Sequence, residues 1–105
     1  MKIYMYKGKK NACGQRVREL REKMKITQTE FAARLQICDV WLDQKAISRI
    51  ELEDRIVSDY ELWAMETVLQ VDIKDLLQSM PVIKLPKEMK NGRKTGRDTT
   101  VKQQT

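Results

Sequence analysis

The chain has 105 residues, 41% of them hydrophobic, and a formal charge of +6. That length supports one small domain with tails around a modest core, and it argues against an enzyme with a deep cleft. No apolar run approaches the ~20 residues of a membrane span and the N-terminus has no signal-peptide apolar region, so the sequence reads as a cytosolic (cytoplasmic) protein with no membrane partner.

The charge is unevenly placed. Residues 1–10 hold Lys2, Lys7, Lys9 and Lys10 with no acid, and residues 84–105 hold seven basic residues against Glu88 and Asp98, so the middle of the chain is net acidic. Basic tails on a slightly acidic domain favour a polyanionic partner, of which nucleic acid is the commonest, although a solubilising role gives the same composition. Cys13 and Cys38 have no metal or redox spacing, and there is no histidine to complete a zinc site. They read as small buried hydrophobes without a disulfide.

In chain order, residues 1–10 form a basic arm in which Ile3 and Met5 alternate with Tyr4 and Tyr6. It is either a short strand or a disordered arm, and the sequence does not decide between them. A first helix is expected from near Asn11 to about Lys23, with Cys13, Val17, Leu20 and Met24 on its buried face and Arg21 on the boundary. After Lys25-Ile26, the run Thr27-Gln28-Thr29-Glu30 has the form of a capping box and opens a second helix over about 28–35, with Phe31, Ala32 and Leu35 inward. The connection from Gln36 to Leu42 is long for a turn between helices, and its Trp41 is expected to pack the loop onto the core rather than stack on a base.

Asp43 then suits the N-cap of a third helix over 44–52. At 3.6 residues per turn, Ala46, Ile47 and Ile50 share one face, and Gln44, Lys45, Ser48 and Arg49 share the other. Amide, ammonium, hydroxyl and guanidinium groups are those that bond base edges and phosphates. A polar outer face is also what any amphipathic surface helix carries. Leu52 to Val57 reads as a loop, and Ser58 or Asp59 caps a fourth helix over about 59–70, whose buried stripe is Leu62, Met65, Val68 and Leu69 with Tyr60 and Trp63 at the edge. A short fifth helix covers about Ile73–Gln78 before Pro81, and beyond Pro86 the basic, polar chain is expected to be disordered. The expectation is therefore an all-α, five-helix domain over 11–80 between flexible basic N- and C-terminal tails at 1–10 and 81–105.

Several pieces in this order resemble the XRE family of helix-turn-helix regulators, the phage-repressor and Cro type. They are Gly14-Gln15-Arg16-Val17-Arg18-Glu19-Leu20-Arg21, Ile26-Thr27-Gln28-Thr29-Glu30-Phe31-Ala32, Ala46-Ile47-Ser48-Arg49-Ile50-Glu51, Asp59-Tyr60-Glu61-Leu62 and Asp75-Leu76-Leu77. The resemblance implies a repressor-like domain whose third helix enters the major groove of double-stranded DNA, the protein acting as a homodimer on a two-fold site. It implies base contacts from Gln44, Lys45, Ser48 and Arg49, and a phosphate contact from Gln28, which in the family also meets the first residue of the third helix, here Gln44. Arg21 and Glu51 look like the family's buried ion pair. Thr27 shares that helix start, Arg55 remains as a backbone contact, and the helix N-terminus at Ser58 can offer N–H groups to a phosphate.

Two departures stand out: the long 36–42 connection, and Leu52-Glu53-Asp54 where the family has a basic residue and a glycine. The acids favour an alternative in which the fold serves as a protein-interaction module, antitoxin-like or part of a complex, or takes a regulatory protein partner. Catalysis has no constellation behind it: no histidine, no Gly-rich phosphate loop, no clustered acid pair, and no cofactor or metal motif.

Overall fold

A computed structural model describes residues 5–87 of the chain. Its helices are α1 Gly14–Lys23, α2 Gln28–Ile37, α3 Gln44–Glu51, α4 Asp59–Leu69 and α5 Ile73–Leu76, with no strand among the described residues. The apolar stripes converge on one core in which Val17, Phe31, Leu35, Ile47, Ile50, Met65 and Leu76 are fully buried. Burying each such side chain stabilises by ~1.5–3 kcal/mol. α3 contributes Ile47 and Ile50 and packs on both α1 and α2, so its opposite face is turned outward by the core itself. In α4 the buried side is Ala64, Met65 and Leu69, with Leu62 and Val68 half-buried against it.

The helix starts follow the expected chemistry. Thr27 and Glu30 form a complete capping box on α2, and Ser58 with Glu61 forms another on α4. Asp43 accepts from the Ala46 N–H at 2.8 Å. α1 differs, starting at Gly14 rather than near Asn11. The Asn11 Oδ1 accepts from the N–H groups of Cys13 and Gly14 (3.1 and 2.8 Å), and these side-chain bonds hold residues 11–13 out of the helix. Met24, expected on the buried stripe, is the C-cap and lies at the exposed margin.

The connection between α2 and α3 is also shorter than the sequence suggested. α2 continues to Ile37, leaving 38–43 as the link. Val40 and Leu42 bury their side chains and pin it to the core. Trp41, between them, points away: it is 71% exposed, and its indole N–H donates to Asp39 Oδ1 at 3.1 Å. The expectation that Trp41 packs the link is therefore corrected, because alternation in an extended segment sends Val40 and Leu42 inward and Trp41 outward.

Cys13 is buried and Cys38 half-buried, both as free thiols. Burial pushes the Cys13 thiol up to about 11, which keeps it protonated and inert. Residues 6–9 form a tight turn in which Tyr6 and Lys9 exchange two backbone hydrogen bonds, with Lys7 and Gly8 at positive φ. The part of the expected disordered tail beyond Lys87 lies outside the described residues.

Candidate nucleic-acid interface

Gln44, Lys45 and Arg49 are exposed and Ser48 is half-exposed on the side of α3 opposite Ile47 and Ile50. No ion pair among the described residues holds Lys45 or Arg49. Arg49 makes one long contact, 3.4 Å, to the Asp54 carbonyl oxygen. The face thus offers two unpaired cations, an amide and a hydroxyl along two turns of helix. It matches groove acceptors in charge and in bonding capacity.

A polar chain leads from this face into the core. Arg21 grips Glu51 with two bonds, Nε to Oε2 at 2.7 Å and Nη2 to Oε1 at 3.1 Å, and its Nη1 donates to the Ile26 carbonyl at 2.7 Å. The Glu51 hydrogen bond and charge hold the Arg21 guanidinium above its ordinary range against the opposing effect of burial. Glu51 Oε1 also accepts from Gln28 Nε2 at 2.9 Å, and Gln28 Oε1 accepts from Gln44 Nε2 at 2.6 Å. Because a carboxylate only accepts, Glu51 fixes which end of the Gln28 amide faces it, and Gln28 in turn fixes Gln44. Removing one partner of so buried a pair would leave a charge uncompensated, which is where its effect on stability lies.

The four candidate phosphate contacts fall into two groups. Thr27 and Gln28 sit at the α2 N-terminus beside Gln44, with Thr27 exposed and its Oγ1 accepting from the Glu30 N–H at 3.0 Å. Arg55 and Ser58 instead gather around Glu61. Arg55 donates to both oxygens of Glu61 at 3.0 and 3.3 Å, and the Ser58 N–H donates to Glu61 Oε1 at 3.0 Å. Burial alone would raise the Glu61 carboxyl, but the Arg55 and Ser58 bonds outweigh it and hold the group below its ordinary value. Arg55, expected as a DNA-backbone contact, is therefore charge-balanced by Glu61 within the protein. The Ser58 N–H is likewise occupied.

Two further residues complete the site. Asn11 Nδ2 donates to the carbonyls of Ile50 and Arg55 at 3.1 and 2.8 Å, tying the start of α1 to the end of α3 and the loop after it. Gly14 lets the two helices approach, since a Cβ there would overlap the Ile50 carbonyl oxygen. Asn11 is polar and close to a helix start, so its local capping was readable, but its long-range bonds were not.

A family model described as helix-turn-helix matches residues 17–76, which span all of this geometry except Asn11 and Gly14. The chain belongs to the XRE family of helix-turn-helix proteins, a family of DNA-binding regulators. Comparison with curated proteins and with solved structures gives no match. No helix among the described residues is long and apolar enough to cross a membrane.

Proposed function

We propose that the protein is a small transcriptional repressor that binds a two-fold operator as a homodimer, placing α3 of each copy in the major groove. The observation that carries this reading is the outer face of α3, with Gln44 preset by Gln28 and the two cations Lys45 and Arg49 unpaired. Gln44 matches adenine, Lys45 and Arg49 match guanine, and Ser48 suits either a base or the backbone. Thr27 and Gln28 supply the adjoining phosphate contact. Selection of bound sequences from a random duplex pool tests it, with a palindromic motif as the expected result. An unenriched pool would promote the protein-interaction alternative, which draws support from the exposed Trp41, Tyr60 and Trp63 outside α3.

Dimerisation is assigned to the end of the domain. Ile73 is partly exposed, Val82 and Ile83 are largely exposed, and Leu77 is half-buried. Leu85 is half-buried beside them, while Leu76 of the same short helix is fully buried in the protomer core and is left out of the contact. Sedimentation at tens of micromolar, with and without operator, checks this; a monomer in both conditions removes it. A DNA partner also agrees with the cytoplasmic location expected from the sequence.

A further inference from the structure

Glu53 and Asp54 follow α3 directly, at the helix end that already carries partial negative charge from its carbonyls. Asp54 is bonded through its backbone to Arg49, one of the proposed base readers: its N–H donates to the Arg49 carbonyl at 2.9 Å, and its own carbonyl accepts from Arg49 Nη2. Two carboxylates there would oppose a phosphate backbone. The arm before α1 lies against them. The Lys10 N–H donates to the Glu53 carbonyl at 3.0 Å, Lys9 Nζ lies 2.9 Å from Glu53 Oε1, and Lys10 Nζ lies 3.5 Å from Asp54 Oδ1. Glu53 is nearly enclosed, its side chain 10% exposed, while its partner Lys9 is 54% exposed.

The turn at Lys7-Gly8 sends the chain back so that Lys9 and Lys10 reach the acids, and Asn11 fastens its root to the Ile50 and Arg55 carbonyls. One backbone hydrogen bond and two ion pairs on one pair of acids are more than an arm attached only by its covalent connection would show.

We infer that residues 6–10 are a charge clasp: Lys9 and Lys10 neutralise Glu53 and Asp54 and so make the C-terminal end of α3 compatible with a phosphate backbone, rather than contacting phosphates as free cations. The inference rests on the DNA-binding reading and adds a positioning role to a segment outside the matched family region. It separates two uses of a lysine. One that contacts a phosphate releases counterions and steepens the salt dependence by ~0.9 per contact. One that cancels a carboxylate changes affinity without changing that slope.

The test is a cycle in the full chain: the parent, Lys9→Gln with Lys10→Gln, Glu53→Gln with Asp54→Asn, and all four together. Binding to a fixed duplex is titrated at several salt concentrations, and thermal melting monitors the fold. Removing the lysines should weaken binding on the order of tenfold at low salt, from two uncompensated acids near phosphates, with the slope kept. The fourfold variant should bind within about twofold of the parent at the same slope, because it loses the two acids together with the lysines that cancel them. Equal lysine effects in both backgrounds, with a slope lowered by ~1.8, make them phosphate contacts and overturn the clasp.

Should the lysine-free variant fail to fold, the acid-free variant decides alone. Freed lysines should raise affinity and steepen the slope by up to ~1.8, and an unchanged slope with unchanged affinity overturns the inference. A parent that binds no duplex at any salt overturns the functional reading and the clasp together, whereas additivity in a binding parent overturns the clasp only.

Discussion

Gln44 shows how a single side chain can be fixed before any partner arrives. Its amide donates to Gln28, which donates to Glu51, which is held by Arg21, so the rotamer is set by a charge pair 8% exposed at Arg21 and 6% at Glu51. Arg49 has no comparable support beyond the Asp54 carbonyl, and its contribution is predicted to be local. Arg49→Ala should keep the melting temperature within a few degrees of the parent while costing ~1–3 kcal/mol of site preference at one or two base pairs. Ile50→Ala, from the buried face of the same helix, should instead destabilise by ~2–5 kcal/mol and lose binding through unfolding. Melting and binding measured on both variants separate the two faces; like behaviour of the two would remove α3 as the reader. The polar face was legible because periodicity alone sorts Gln44, Lys45, Ser48 and Arg49 from Ile47 and Ile50. The Arg55–Glu61 pair was not legible, because Glu61 lies across a loop from Arg55, where no helical spacing brings the two together.

The Arg55–Glu61–Ser58 cluster makes a prediction in pH. Glu61 is held below its ordinary value, so its ionised form is the one the fold prefers. Stability from it is present above the unfolded carboxyl value, about 4.3, and is lost as pH falls through the lower folded value. Glu61→Gln should therefore melt below the parent at neutral pH, and the gap should narrow on acidification below about pH 4. A gap constant across the acid range would mean that the carboxylate contributes through shape rather than charge.

At the scale of elements, the starts of α2, α3 and α4 and the stops of α1, α3 and α4 were readable, whereas the start of α1 and the stop of α2 were not. Thr27, Asp43 and Ser58 are ordinary N-cap residues, but Lys25, Asp39, Glu53 and Gln70 occupy the left-handed position after α1, α2, α3 and α4, with φ of 61, 63, 61 and 58°. After α1, α2 and α3 the next N–H reaches back to Arg21, Leu35 and Arg49 and closes the helix end. Glycine is the usual residue there, and its absence removed the signal for where α2 ends. Without it the sequence places the end of α2 two residues early. Each such residue bears a cost that glycine would not, partly offset by the larger unfolded-state entropy of glycine. Lys25→Gly and Gln70→Gly should each stabilise by ~0.5–1 kcal/mol, read as a rise in urea midpoint at unchanged slope. Glu53→Gly should gain less, since it also discards the ion pair with Lys9. If both clean substitutions lowered the midpoint, these turns would owe their form to side-chain contacts rather than to tolerated strain.

Across the whole molecule, charge is unevenly divided between the folded part and the flanks. The helical domain pairs its charges internally: Arg21 with Glu51, Arg55 with Glu61, Arg16 with Asp75, and Lys9 with Glu53. Lys23, Lys25, Arg34 and Lys74 also have no ion pair among the described residues, but Lys45 and Arg49 are the cations on the outer face of α3, and base contacts specify while phosphate contacts only position. The C-terminal flank carries Lys87, Lys90, Arg93, Lys94, Arg97 and Lys102 against Glu88 and Asp98, and so holds most of the unbalanced charge beyond the domain. Its predicted contribution is attraction without choice. Deleting 86–105 should weaken selected and random duplexes by the same factor and flatten the plot of log affinity against log salt, by ~0.9 for each phosphate that the flank neutralises. The ratio of the two affinities should not change, because the domain that sets it keeps its core and its α3 face. If the ratio collapsed while the slope held, the flank would be reading bases, and the division between a discriminating domain and a sequence-blind flank would be wrong.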